Sequence, residues 1–374
     1  MGMKKKKYVY LEALRVAAIL LVVFNHTGTN GYLYFTTAGG HAGPWAFYAS
    51  ASVLCKVAVP LFLMVSGAVL LGKDEPISAI WKKRVPRILA LALVWSAVQY
   101  VLICAGFYEG RSIDEPSIVN FFTMFYHAPM ISPYWYLYIY LAFLAILPFL
   151  RMIAARATWR HYVYLFLMQV AFQTVTSVLA LTDDLTASPD WTLPFLANIV
   201  LYPLLGYGLH TRLVAGRVTG RQLLAGVAAS AAAVAVSCWF VVMDQQRSGN
   251  LRSEAYVNVL VVVPTVTLFA AFGLLFHRFG LSPRLRAVLM TLGSCTFGVY
   301  LLEEILRQFL VGPVVRELSP VVHTFSATLV AVFLVFVVGT ALTWPAKQLV
   351  QACHRALWPA GEHESPALVS SQAR

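Results

Sequence analysis

Charged residues are scarce in this chain of 374 residues. Asp, Glu, Lys and Arg make up 12% of it, whereas soluble domains carry about 25%. Hydrophobic residues make up 59%. This shortage of charge extends along the whole chain, which excludes an ordinary soluble domain and predicts an all-α polytopic membrane protein. The five cysteines lack the spacing of a metal site, so we expect no metal and assign them no role.

Apolar segments of membrane-spanning length recur along the chain, and we count about ten transmembrane helices. They are residues 8–28, 45–71, 86–107, 133–150, 161–181, 193–211, 222–243, 256–277, 288–311 and 322–343. We expect residues 1–350 to form one membrane domain. Residues 351–374 are short and polar and are expected to form a disordered cytoplasmic tail.

The basic residues indicate the orientation. If the N-terminus is cytoplasmic, 21 of the 28 Lys and Arg residues lie on the inside, four lie outside and three fall within spans. This bias predicts that both termini are cytoplasmic. The net charge of +12 is therefore a topology signal, and we expect the lipid bilayer, not nucleic acid, as a partner.

The first span carries a cation and an imidazole among hydrophobic residues. Arg15 and His26 are eleven residues apart, so on a helix they share one face and are separated by ~16 Å along the axis. Ionisable groups inside a membrane are expensive and often functional. Alternatively, Arg15 reaches the inner interface beside Glu12, and His26 makes an interhelical hydrogen bond.

Two further groups of cations follow. Lys56 lies in the middle of the second span, shortly before Pro60, which is expected to break the helix. It either serves a ligand or pairs with Glu303 or Glu304. The next loop contains four cations, which either bind phosphates or anchor the chain to anionic lipid heads: Lys82, Lys83, Arg84 and Arg87.

The ninth and fourth spans supply acids and aromatic rings. Glu303 and Glu304 lie at a depth comparable with His26, where a carboxylate can orient the imidazole. Alternatively, Glu304 pairs with Arg307, or the acids relay protons in a transporter. The fourth span begins with an aromatic run that forms either an interfacial belt or a sugar-stacking wall: Trp135, Tyr136 and Tyr138.

These residues carry a family resemblance. Tyr10, Leu11, Glu12, Leu14 and Arg15, followed after ten residues by His26, match the opening signature of the integral membrane acyltransferase family 3. Further motifs follow in family order: VPLFLMVSG, KKRVPR, YWYLYIYLAFLAILPFL, LLGYGL and TFGVYLL. The chain is most similar to the enterobacterial-common-antigen O-acetyltransferase type. It departs from the family where the late Tyr–Leu motif often continues into histidine, because Glu303 and Glu304 stand there.

The resemblance implies a membrane O-acyltransferase in the bacterial cytoplasmic (inner) membrane. It would move an acyl group, expected to be acetyl, from acyl-CoA to a hydroxyl of an extracytoplasmic glycan or lipid-linked sugar. Acyl-CoA would be a co-substrate, with no permanently bound cofactor. The alternatives are a polysaccharide or lipid-linked-sugar exporter of similar architecture and a regulatory membrane domain.

The resemblance and the residues together assign roles. We expect His26 to act as general base or acyl-accepting nucleophile, assisted by Glu303 and Glu304. The predicted donor-binding residues are Arg15, Lys82, Lys83, Arg84 and Arg87. The predicted acceptor-binding residues are Trp135, Tyr136, Tyr138 and Lys56.

Overall fold

The computed structural model describes residues 8–37, 42–108, 110–181, 198–248 and 260–357. These residues form helices and no strand, which confirms the all-α prediction for the described part of the chain. The helices are α1 (Val9–Asn25), α2 (Tyr34–Thr37), α3 (Ala42–Cys55), α4 (Ala58–Leu70), α5 (Ile77–Ala79), α6 (Val85–Cys104), α7 (Ile118–His127), α8 (Trp135–Arg156), α9 (Trp159–Leu181), α10 (Asn198–Val214), α11 (Gly220–Ser248), α12 (Val262–Arg278), α13 (Pro283–Leu318) and α14 (Thr324–Leu357). A π-helical segment, Ile80–Arg84, joins α5 to α6.

Within the described residues, six helical stretches are long and apolar enough to cross a membrane. They are Pro44–Leu70, Ile77–Cys104, Ser132–Arg156, Gly220–Met243, Pro283–Leu318 and Thr324–Val350. The chain is therefore a multi-pass membrane protein. Helices α1, α10 and α12 have 17 residues each and are shorter than these six stretches. The last helix continues to Leu357, and the rest of the predicted tail lies outside the described residues.

Helix α1 lies at the centre of the packing. It contacts α3, α4, α12, α13 and α14, and the side chains of Leu14, Ala18, Ile19 and Val23 are fully buried. Its sequence explains this position, because apolar residues surround the helix on most sides. The polar residues of α1 therefore face partners from several other helices.

The second span is broken into α3 and α4, as Pro60 led us to expect. The chain leaves the helix at Lys56 and Val57, whose N–H groups donate to the carbonyls of Val53 and Leu54, both at 3.3 Å. Proline has no N–H, so it cannot extend a helical hydrogen-bond ladder across this point. Irregular backbone at this depth is tolerated where it lines a cavity.

Helices α4 and α10 cross with their backbones in contact. A Cβ atom placed on Gly67 would lie 2.0 Å from the carbonyl oxygen of Pro203, and one on Gly206 would lie 2.1 Å from that of Met64. Small residues permit such close approach between membrane helices. Two glycines, one on each helix, therefore fix the position of α4.

Helix ends follow local chemistry. Ser117 and Ser282 accept hydrogen bonds from the N–H groups three residues later and cap α7 and α13. Helix α6 ends at Cys104, and Gly106, two residues later, has a left-handed φ of 71°. The N–H of Phe107 donates to the Leu102 carbonyl at 2.9 Å. This is the Schellman arrangement that glycine favours.

Candidate active site

A single large cavity gathers most of the predicted site residues. Its volume is about 1200 Å³, and residues of α1, α6, α8, α13 and the broken second span line it. Small-molecule pockets usually measure about 300–1,000 Å³, so this cavity can hold a ligand of extended shape. Eight of the twelve predicted site residues line it: Arg15, His26, Lys56, Lys83, Arg84, Arg87, Trp135 and Tyr136.

The other four predicted residues lie elsewhere. Lys82 is exposed, and Tyr138 donates a hydrogen bond to the Phe125 carbonyl of α7 at 2.7 Å. Glu303 and Glu304 are buried behind His26 rather than among the lining residues. The imidazole of His26 therefore connects the cavity to Glu303.

Several cations meet at one end of the cavity. The charges of Arg15, Arg84 and Arg87 all act on the hydroxyl of Tyr140, which also lines the cavity. Lys83 and Arg87 are exposed while lining the same space. Together these residues can hold an anionic ligand such as a phosphate.

Arg84 is also bound by a carboxylate that the sequence did not indicate. Its Nη2 donates to Glu75 Oε1 at 2.7 Å and its Nε donates to Oε2 at 3.1 Å. Arg151 donates to the same carboxylate at 3.1 Å and to the Leu70 carbonyl at 3.1 Å. The hydrogen bonds from Arg84 and Arg151 lower the pKa of Glu75 to about 2. A phosphate that approaches Arg84 therefore meets a guanidinium already oriented by Glu75.

Arg15 both pairs with Glu12 and lines the cavity. Its Nη1 donates to Glu12 Oε1 at 2.7 Å, and the side chain nevertheless lines the cavity with 27% of its surface exposed. Helix α13 approaches this pair closely, because a Cβ on Gly293 would lie 2.5 Å from Glu12 Oε2. The ion pair thus holds Arg15 at the cavity wall.

At the other end of α1, His26 contacts a buried acid. Its Nδ1 lies 3.1 Å from Glu303 Oε2, and the Glu303 side chain is fully buried. A carboxylate only accepts hydrogen bonds, so Nδ1 carries the proton and Nε2 of the neutral ring is left as acceptor. This arrangement can remove a proton from a hydroxyl group in the cavity.

A second acid and an arginine extend this pair. Arg307 Nη2 donates to Glu304 Oε1 at 2.7 Å, and its Nε lies 3.5 Å from Glu303 Oε1. His26, Glu303, Glu304 and Arg307 therefore form one linked set, which we call the His26 cluster. The pairing of Glu304 with Arg307 was one of the sequence-based alternatives, and it coexists with the contact between Glu303 and His26.

Lys56 lies at the break of the second span. Its Nζ is 4.2 Å from the centre of the Tyr32 ring, and its side chain lines the cavity. Beside it, Cys55 Sγ donates to Asn25 Oδ1 at 3.5 Å, and both of these residues also line the cavity. The cation, the amide and the imidazole of His26 thus face one space.

The aromatic lining differs from the prediction in one detail. Trp135, Tyr136 and Tyr140 line the cavity, whereas Tyr138 packs against α7. Tyr136 and Tyr140 have ring centres 5.9 Å apart. Their spacing of four residues, typical of one helix face, is the signal that could have identified Tyr140.

Hydrogen bonds to backbone carbonyls fix α13 near its acids. Tyr134, held by Gln99 at 3.2 Å, donates to the Leu301 carbonyl at 3.0 Å, and Tyr300 donates to the Pro133 carbonyl at 2.6 Å. Tyr300 lines the cavity and was not among the predicted site residues. Buried networks of this kind hold a site rigid.

A family model described as an acyltransferase domain matches residues 8–345 of the chain. The match includes every residue that lines the cavity and the whole His26 cluster. No curated protein and no solved structure matches the chain.

Proposed function

The chain belongs to the membrane acyltransferase family 3, and from this membership we propose that it is an O-acyltransferase of the bacterial cytoplasmic membrane. It takes an acyl group, acetyl in the simplest case, from cytoplasmic acyl-CoA. It transfers that group to a hydroxyl of an extracytoplasmic glycan or lipid-linked sugar. The proposal includes about ten spans with both termini in the cytoplasm, as the loop charges favour.

One observation carries the proposal: a single cavity joins a set of cations to a histidine–carboxylate pair. Arg15 lies on α1 and His26 caps the end of that helix, ~16 Å away along the axis, and both line that cavity. A CoA thioester has its phosphates at one end and its reactive carbonyl at the other. The cations suit the phosphates and His26 suits the reacting carbonyl, so the cavity matches the two ends of this donor.

The residues support the following reaction. His26 Nε2 takes the proton of the acceptor hydroxyl while that oxygen bonds to the thioester carbonyl carbon. The carbon–sulfur bond then breaks, and the departing CoA thiolate receives the proton that His26 carries. Glu303 holds the ring in position through Nδ1 and stabilises the imidazolium between these steps. A covalent acyl-histidine is the competing route, since histidine also serves as a nucleophile.

The acceptor side is proposed to be the outer end of the cavity. Trp135 and Tyr136 present aromatic rings to the cavity, and sugars can stack on such rings. Lys56 supplies a cation there that can bind a phosphate of a lipid-linked sugar or a polar sugar group. Tyr138, which faces α7, is assigned an indirect role in placing that loop helix.

The test uses purified protein in lipid nanodiscs with acetyl-CoA and a glycan acceptor, and it follows CoA release and acetylated product by mass spectrometry. A general base contributes ~10²–10⁴-fold, so His26→Ala should lower transfer by about that factor. The matched control is His161→Ala, because His161 is exposed, does not line the cavity and bonds to Thr158, the residue before α9. Retention of near-normal transfer by His26→Ala would refute the assignment.

The two routes through His26 separate in the same experiment. Without acceptor, a covalent route leaves an acetyl group on a peptide that contains His26, whereas a general-base route leaves that peptide unmodified. Transport of a labelled glycan across the membrane without acetyl-CoA consumption would instead support the exporter.

A further inference from the structure

Two buried glutamates lie behind His26, although a single carboxylate is enough to pair with one histidine. Glu303 and Glu304 are adjacent in the chain and expose 0% and 4% of their surface. Two buried carboxylates repel each other, and a buried charge is costly unless it is paired. Arg307 lies within reach of both, at 2.7 Å from Glu304 and 3.5 Å from Glu303.

The distances divide the acids between two partners. Glu304 takes the shorter contact with Arg307, which leaves Glu303 Oε2 for His26. With His26 neutral, two carboxylates and one guanidinium give the cluster a net charge of −1. When His26 gains a proton, the cluster becomes neutral.

We propose that Glu304 and Arg307 are positioning residues whose charges balance each other, so that Glu303 sets the His26 cluster at a charge of −1 before proton transfer and at zero after it. This inference rests on the proposed function and deepens it. It assigns Glu304 a role through Arg307 rather than through contact with substrate. The residues that stand where the family often has histidine would thus set the strength of the base.

The physical reason is the low dielectric of the site. Charges separated by a few ångströms interact far more strongly there than in water. A proton that neutralises the cluster is favoured, and one that leaves an excess positive charge is disfavoured. Interactions that are stronger in the transition state than in the ground state raise kcat. The attraction between the negative cluster and the imidazolium that develops on His26 is such an interaction.

The decisive experiment is a double-mutant cycle. Glu304→Gln removes one negative charge, so the cluster is neutral before proton transfer and positive after it. We expect kcat to fall by about tenfold or more, because a neighbouring charge changes a proton equilibrium by about 10- to 1000-fold. KM for acetyl-CoA should stay within about twofold, since the donor phosphates bind at the other end of the cavity.

Arg307→Gln gives the cluster a charge of −2, which favours a proton on the cluster before the acceptor arrives. His26 is then no longer free to accept the hydroxyl proton, so this variant also lowers kcat. The double variant Glu304→Gln/Arg307→Gln restores the net charge of −1. We expect its kcat to exceed that of each single variant by about fivefold or more, a recovery that loss of structure cannot produce. Glu317→Gln is the matched control, because Glu317 is exposed on the same helix α13.

Each result has one meaning. A double variant no more active than the single variants refutes the charge-setting role, as does a Glu304→Gln variant with normal kcat. If Arg307→Gln fails to insert, the comparison between Glu304→Gln and the double variant decides the question. Absence of acyl transfer from the wild-type protein would instead refute the proposed function, which the His26→Ala comparison tests separately.

Discussion

The crossing of α4 and α10 allows a sharp prediction about stability. Gly67→Ala places a methyl group 2.0 Å from the Pro203 carbonyl oxygen and 2.5 Å from two further backbone atoms of that residue. These atoms belong to the backbone, so no side-chain rotation can make room. The two helices must separate, or one of them must bend.

The size of the effect follows from these distances. Ordinary contact begins near 3.4 Å, so the backbones have to move apart by about 1.4 Å at the crossing. A gap of ~0.5–1 Å already loses a quarter to a half of the dispersion energy between facing atoms. Overpacking a close-packed contact typically costs ~1–3 kcal/mol, and we expect the upper part of that range, ~2–3 kcal/mol.

The measurement is the apparent free energy of unfolding from SDS titration in mixed micelles. Gly220→Ala is the control, because a Cβ atom there meets no atom within 4 Å, and its effect should stay within about 0.5 kcal/mol. Gly206→Ala should resemble Gly67→Ala, since its Cβ would meet the Met64 carbonyl at 2.1 Å. A loss below ~0.5 kcal/mol for Gly67→Ala would show that the helices do not pack in this way.

Two further predictions concern the cationic end of the cavity. The pKa of Glu75 is about 2 in the folded protein, below its ordinary value of 4.5. Its ion pairs therefore stabilise the fold fully above pH 4.5, and this stabilisation is lost as the pH falls from about 4.5 towards 2. The difference in melting temperature between wild type and Glu75→Gln should shrink over that range, and a constant difference would contradict the pairing. Arg87→Ala should raise KM for acetyl-CoA by about tenfold with kcat nearly unchanged, because it removes one charge-assisted phosphate contact. The control is Lys82→Ala, which alters a neighbouring cation that does not line the cavity. Equal KM values for the two variants would mean that Arg87 anchors the chain to lipid head groups and does not bind the donor.

Relations within one helix could be predicted from the sequence. Arg15 lies on α1 and His26 directly follows its last residue, and their spacing alone predicted that they share one face. Both line the cavity. The same rule corrects the aromatic group on α8. Residues two apart on a helix point ~200° away from each other, so Tyr136 and Tyr138 cannot share a wall. Tyr140 shares it with Tyr136 instead.

Relations between distant segments were harder to predict. Comparable depth in the membrane suggested a carboxylate near His26, and Glu303 is found there. The depth of a residue in the membrane does not predict which of the adjacent acids, Glu303 or Glu304, faces α1. That choice depends on how α13 is rotated about its own axis. Glu75 lies in a polar loop, where nothing in the sequence links it to Arg151, 76 residues later. Such pairings arise only when the helices pack.

The charge of the cavity wall has a consequence for the membrane itself. A polar passage within a membrane protein is a hazard, because protons or sodium ions that follow it would dissipate the membrane potential. The cavity described above is lined by five cations: Arg15, Lys56, Lys83, Arg84 and Arg87. Among the described residues, Glu75 is the one acid that lines it. Fixed positive charge excludes protons and other cations from a pore. The residues suited to an anionic substrate would therefore also insulate the bilayer.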